Sequence, residues 1–228
     1  REGIIEKITA SNYLTGCVDS RCPTIQVEMG HSNSHNVEMR SIVGSKPFSL
    51  AFGGGGAGYA GIGGNGFGDL PAGNVYGDQK LTNLYGGSGG AVGVNQPFQL
   101  GIFKQPRGRG GSGGGAIEIV AANDIILGSD ASISCNGEAG SDSYMSAGGG
   151  GSGGSILLSA GGVLQVNGKV SVNGGAGGKK QASKVESFGG HGGGGSGGRI
   201  ALFGQSVMLS KSSTVSIDGG KCSADTVP

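Results

Sequence analysis

The sequence predicts an all-β chain: a parallel β-helix (β-solenoid) with glycine-rich loops. Three observations predict it. First, one phrase recurs three times, over 110–140, 148–178 and 192–220: a glycine run holding a serine, then short aliphatic stretches, then a polar-plus-glycine close. The landmark serines, Ser112, Ser152 and Ser196, lie 40 and then 44 residues apart, a spacing that reads as stacked structural units. Second, the aliphatics alternate with polar residues, which in a strand places them on one face. Third, glycine is 55 of 228 residues and interrupts every window of helical length.

Taken in order, residues 1–50 hold ordinary strand signals. Ile25 and Val27 alternate with Gln26 and Glu28, and Val37 and Met39 with Glu38 and Arg40, between turns of Gly, Ser, Asn and His. These read as N-terminal strands that cap one end. Residues 53–115 form a glycine-rich loop region with scattered aromatics. Tyr59, Phe67, Tyr76 and Tyr85 read as pegs pinning it to a core, and as candidate binding loops. Runs of four glycines also permit polyglycine II, with backbone hydrogen bonds between neighbouring chains. Covering loops and polyglycine II strands both remain open for this region. A further strand, carrying Phe98, Leu100, Ile102 and Phe103, leads into the first repeat.

Residues 110–220 hold the three repeats, each with three short strands. Ile117, Ile119, Ile133 and Cys135 belong to the core in the first. Ile156, Leu158, Val170 and Val172 follow in the second, and Ile200, Leu202, Val215 and Ile217 in the third. Cys135, Val172 and Ile217 are expected on one rung, so Cys135 reads as a buried hydrophobe rather than a reactive thiol. The polar segments 141–147 and 179–188, of unequal length, read as loops leaving one side, where repeat proteins form binding faces. Residues 1–228 are then one elongated domain.

Charged residues are 14% of the chain and the formal net charge is +1, which offers no basic field for nucleic acid. Apolar runs fall far short of the roughly 20 residues that cross a bilayer. Collagen is excluded by the absence of a Gly-X-Y period. Cys17 and Cys22 close a small loop and are the expected disulfide, while Cys135–Cys222 is disfavoured by the fold-back it requires. Low charge, abundant glycine and a disulfide predict an extracellular or cell-surface setting. With Arg1 first and no leader visible, the chain reads as a processed segment of a longer protein.

Motifs for chemistry are weak. GxSxG occurs at Ser88, Ser112, Ser152 and Ser196, but a nucleophile elbow occurs once, between a strand and a helix. His191 before four glycines lacks the triad that would make it an oxyanion loop. Segment 63–69 resembles a calcium-binding nonapeptide but misplaces its aspartate and is not iterated, leaving Asp69 and Asp78 as weak ligand candidates. The charges Glu138, Asp142, Lys179, Lys180, Lys184 and Glu186 fall in turns and loops, not grouped on a sheet face as a polysaccharide lyase needs. No catalytic residue, metal or cofactor is assigned, and the chain reads as a non-enzyme.

One order of motifs carries a resemblance: a glycine run, Asn74-Val75-Tyr76-Gly77-Asp78, a GSGG tract at 87–90, then aliphatic modules ending in CNGEAG, VNGGAGG and IDGG, with GGGGSGGRIAL at 192–202. Over residues 53–220 the chain resembles the glycine-rich β-solenoid region of large cell-surface proteins of plants and protists. The resemblance implies an extracellular location and carries over no catalytic residues. The expectation is a structural building block of a fibre, surface filament or adhesin, its partner a further copy of itself. The alternative is a module binding surface glycans through the aromatic loops, and a polysaccharide-degrading enzyme ranks last.

Overall fold

A computed structural model describes residues 6–9, 51–68, 70–95, 107–181 and 190–222. Among them there is no helix, and twelve strands are present. Strand β1 is Glu6–Thr9, β2 Ala51–Phe52 and β3 Val94–Asn95. The first repeat contributes β4 (Ala116–Ala121), β5 (Ile125–Leu127) and β6 (Ser132–Ser134). The second contributes β7 (Ser155–Ala160), β8 (Val163–Val166) and β9 (Lys169–Ser171). The third contributes β10 (Arg199–Phe203), β11 (Ser206–Leu209) and β12 (Thr214–Ser216).

Equivalent strands of the three repeats pair in parallel, so each repeat is one layer of a stack. The sheets run β1-β10-β7-β4, β11-β8-β5 and β12-β9-β6, with only β1 antiparallel to its neighbour; a separate antiparallel pair joins β2 to β3. Ile117, Ile156 and Ile200 share a rung, as do Ile119, Leu158 and Leu202. Ile133, Val170 and Val215 form another, and the pairing continues to Cys135, Val172 and Ile217, the rung expected from the sequence. Period-two alternation turns these side chains inward into one core.

Burial falls from the middle layer outward. Ile156, Leu158, Leu164, Val166, Val170 and Val172 have no exposed surface. The first layer, and β11 and β12 of the third, are covered on one side only, and Ile117, Ile125, Leu127, Ile133, Val207, Val215 and Ile217 are partly buried; β10, flanked by β1, keeps Ile200 and Leu202 buried. Ile119, expected in the core, is 39% exposed because no layer lies beyond β4 among the described residues.

The glycine runs follow a different rule, with a period of three instead of two. Segment 146–154 is the clearest case. The N–H groups of Gly148 and Gly151 donate to Ser141 and Glu138, those of Gly149 and Ser152 to Ala91 and Ser88, and those of Gly150 and Gly153 to Gly193 and Ser196. Its carbonyls accept from three further segments: Ala147 and Gly150 from Gly54 and Ala57, Gly149 and Ser152 from Gly111 and Gly114, and Gly148 and Gly151 from Gly178 and Gly175. One extended segment thus has six hydrogen-bonded neighbours, arranged by the three-residue turn of a polyproline-II-type chain. Only glycine permits it at the tightest points. A Cβ on Gly151 or Gly195 would land on a neighbouring backbone carbonyl.

This lattice explains how the layers are held. Each layer is a loop of three β-strands whose two ends run side by side as stems. In the first layer Glu138 N–H donates to Ser112 and Ser141 N–H to Arg109, each at 2.8 Å. Segments 53–57, 63–67 and 87–93 lie over the stems as a further row, tied to them by backbone hydrogen bonds. Side-chain alternation leaves covering loops and polyglycine II strands both open for this region. Backbone donors and acceptors tie these segments down, as the polyglycine alternative expects, a signal that side-chain patterning does not carry.

The polar close of each repeat is also a ladder. Asn136 Oδ1 accepts from Asn173 N–H at 2.7 Å, and Asn173 Oδ1 accepts from Asp218 N–H at 2.9 Å. Each Asx side chain therefore caps the backbone of the next layer. The strand expected around Phe98–Phe103, and residues 10–50, lie outside the described residues.

Candidate binding surfaces

Lattice geometry decides where the four candidate aromatics go. Segment 53–59 runs parallel to the stems and brings Tyr59 over the starts of β7 and β10. There Tyr59 is fully buried, with its hydroxyl hydrogen-bonded to Ser155 Oγ. Arg199 opens β10 beneath it, at 2% exposure, with its guanidinium carbon 4.4 Å from the Tyr59 ring centroid. Arg199 Nη1 donates to the Tyr76 carbonyl at 2.8 Å and Nη2 to the Tyr59 carbonyl at 3.4 Å. A desolvated cation over an aromatic face contributes about 2 kcal/mol. The fork thus ties segments 53–59 and 70–76 to the stack.

Tyr76 and Tyr85 complete the cluster. The Tyr59 and Tyr76 ring centroids are 4.8 Å apart, and those of Tyr76 and Tyr85 6.4 Å at an edge-on angle. Tyr76 donates its hydroxyl proton to the Gly86 carbonyl at 2.7 Å, and Ser155 Oγ donates to the Tyr85 carbonyl at 2.7 Å. Burial pushes the Tyr76 phenol above its ordinary range, opposed by a hydrogen bond with the Ser88 side chain. The outer ring, Tyr85, is 43% exposed. Three of the four aromatics therefore converge, in a gradient from the buried Tyr59 to the open Tyr85. Phe67 does not join them: it is exposed and packs edge-on to His191 with centroids 6.2 Å apart.

Arg199 was not singled out from the sequence. The signal was available in the register: Ala116, Ser155 and Arg199 occupy one rung, and the arginine is the odd member.

The other candidates fall to structural roles. Ser88 N–H donates to Ser152 Oγ at 2.9 Å, Ser152 N–H to the Ser88 carbonyl at 3.0 Å, and Ser196 N–H to the Ala57 carbonyl at 2.8 Å. These serines are lattice members. Asp78 accepts from the Thr82 hydroxyl and backbone, which holds its carboxyl below the usual range. Among the described residues no three His, Cys, Asp or Glu side chains group as metal ligands; Asp69 lies outside them. Cys135 is free and buried, and burial pushes its thiol up. Cys222 is disulfide-bonded, and not to Cys135. The expected Cys17–Cys22 pair lies outside the described residues.

A second surface is the end of the stack, where the inward Ile119 of the first layer is 39% and the inward Leu209 of the third 40% exposed; Val120, Ile126 and Met208, also exposed, point outward from the side of the stack. No helix of the described residues is long and apolar enough to cross a membrane. No protein-family description, curated protein or solved structure matches the chain.

Proposed function

We propose that the chain is a structural module, a β-solenoid held by a polyglycine II lattice, that serves as a building block of an extracellular fibre, surface filament or adhesin. It joins further copies through the ends of its stack. One observation carries the reading: the inward side chains of the middle layer are fully buried, while the first layer leaves its apolar rungs half covered and its strand edges unpaired among the described residues. Such edges are templates for another chain. The use of the four GxSxG serines within the lattice favours a scaffold over a hydrolase. The resemblance to glycine-rich regions of plant and protist surface proteins points the same way. Sedimentation velocity over a wide concentration range, with negative-stain imaging, tests it: assembly is expected, and a chain that stays monomeric at high concentration overturns it.

The alternative is a glycan-binding module, favoured by the exposed Tyr85 ring beside Tyr76. A glycan array with wild type and Tyr85→Ala separates the two, since a structural module retains no signal that depends on Tyr85.

A further inference from the structure

We infer that Asn167–Gly168, the corner between β8 and β9, is a site of spontaneous deamidation, at which the stack is chemically altered as it ages. The inference holds whether or not the chain assembles.

Asn-Gly is the pair in which this reaction is easiest, because glycine has no Cβ to hinder its own nitrogen. The Gly168 nitrogen attacks Cγ of Asn167 and loses its proton. The bond from Cγ to the side-chain nitrogen breaks, and ammonia leaves. Water then opens the resulting cyclic imide at either carbonyl. One opening gives aspartate, the other isoaspartate, whose main chain is one methylene longer. No co-reactant beyond water is needed.

The chain has four Asn-Gly pairs, at 65–66, 136–137, 167–168 and 173–174. Three are locked at both reacting groups. Asn136 Oδ1 accepts from Asn173 N–H at 2.7 Å, and Gly137 N–H donates to the Asn173 carbonyl at 2.8 Å. Asn173 Oδ1 accepts from Asp218 N–H at 2.9 Å and from the Ser216 hydroxyl at 2.6 Å, while Gly174 N–H donates to the Asp218 carbonyl at 2.8 Å. Asn65 Oδ1 accepts from Ala72 N–H and Gly66 N–H donates to the Leu70 carbonyl, each at 3.1 Å. Asn167 differs on both counts. Among the described residues its Oδ1 accepts only from the side chain of Gln165, at 3.2 Å, and Gly168 N–H donates to none. Exposure alone would choose otherwise, since Asn136 is exposed and Asn167 half-buried. Gly168 is buried, which does not hinder attack on the side chain next to it.

The corner has no slack for the product. Its two residues join β8 to β9, where the layers on either side use four, 128–131 and 210–213. Those longer corners close their own turns, Ala131 N–H to the Gly128 carbonyl and Ser213 N–H to that of Ser210, each at 3.1 Å. Here the backbone is tied across layers instead. Asn167 N–H donates to the Leu127 carbonyl and Lys169 N–H to the Ala131 carbonyl, each at 2.9 Å, and the Gly168 carbonyl accepts from Thr214 N–H at 3.1 Å. An inserted methylene would displace Lys169 from Ala131 and the buried Val170 from its rung with Ile133. Isoaspartate therefore weakens the middle layer, on which both others stack.

The test ages the full chain at mildly alkaline pH, folded and in urea, and follows each Asn-Gly pair by peptide mapping and mass spectrometry. In the folded chain Asn167 is expected to deamidate about tenfold faster than Asn65, Asn136 or Asn173, whose hydrogen bonds must open first. In urea the four should react at similar rates. Aged wild type is expected to unfold at a lower urea concentration than fresh protein. Aged Asn167→Ser, carrying the residue type that follows Leu209 as Asn167 follows Val166, is expected to keep its midpoint. Asn136 outpacing Asn167 in the folded chain, four equal folded rates, or the same ranking in urea as in the fold would each overturn the inference. So would an equal loss of stability on ageing in Asn167→Ser.

Discussion

Gly151 sits in the central stem, where an added Cβ would fall on the Ser112 carbonyl oxygen, an atom fixed by the lattice. Gly115 also lies in a glycine run, yet a Cβ there would meet nothing within 4 Å. Both positions lie in glycine runs, and their steric surroundings are opposite. Gly151→Ala should therefore destabilise by about 3 kcal/mol or more, the upper range for overpacking. Gly115→Ala should be neutral, or stabilising by about 0.5 kcal/mol through the unfolded chain. Urea denaturation of both variants checks this, and equal effects would contradict the lattice. Cys135 offers a second residue-scale test. Burial raises its thiol pKa in the folded state, so the protonated form is favoured by folding. That contribution is full below the ordinary thiol value of about 8.5 and is lost as pH rises through the folded value. The stability difference between wild type and Cys135→Val should thus move against wild type between pH 7 and pH 10, measured by denaturation at both. A difference that stays constant would mean the thiol is not buried in solution.

At the scale of elements, identical chemistry should cost different amounts in different layers. Leu164 of β8 has no exposed surface, and Leu209 of β11, one layer out, is 40% exposed. Leu164→Ala should cost about 2–5 kcal/mol and Leu209→Ala about 1 kcal/mol or less, since only the first leaves a closed cavity. Comparable losses would indicate that a further layer covers β11 in solution. The rungs that make this prediction possible were legible in the sequence. Ile117, Ile156 and Ile200 each stand two residues past their glycine run, Cys135, Val172 and Ile217 each directly precede the Asn-Gly or Asp-Gly close, and alternation marks the face. The stems were not legible by the same means. A segment such as 148–154 has a single side chain beyond hydrogen, Ser152, so hydrophobic periodicity has nothing to act on. Its order is written in backbone donors and acceptors, which every residue type shares. The aromatic pegs were half legible: Tyr59 and Tyr76 do pin the covering row, but burial removes Tyr59 from any binding role, and only the folded register shows Arg199 as the residue beneath them.

For the whole molecule, two kinds of order are joined end to end. The β-layers are held by a side-chain core, with Ile156, Leu158 and Leu164 wholly buried within it. The lattice buries little side chain beyond the Tyr59–Arg199 clamp and relies on hydrogen bonds in several directions at once. A backbone hydrogen bond contributes only about 0.5–1.5 kcal/mol net, so the lattice is stable only as a collective. Removing the covering row would strip the central stem of partners at Gly54, Ala57, Ser88 and Ala91 together. The row and the stems should therefore open as one unit, while the middle β-layer, with its own core, opens last. Amide hydrogen exchange followed by mass spectrometry tests this directly. Slow exchange is expected at Leu157 and Leu164, intermediate and mutually similar protection at Gly54, Ala57, Gly149 and Ser152, and fast exchange at the solvent-facing corners 128–131. Rapid exchange throughout residues 53–93 beside protected stems would show that the stems hold together without that row. The six-neighbour arrangement around 146–154 would then not be what binds the layers, and stability would have to come from the β-core alone.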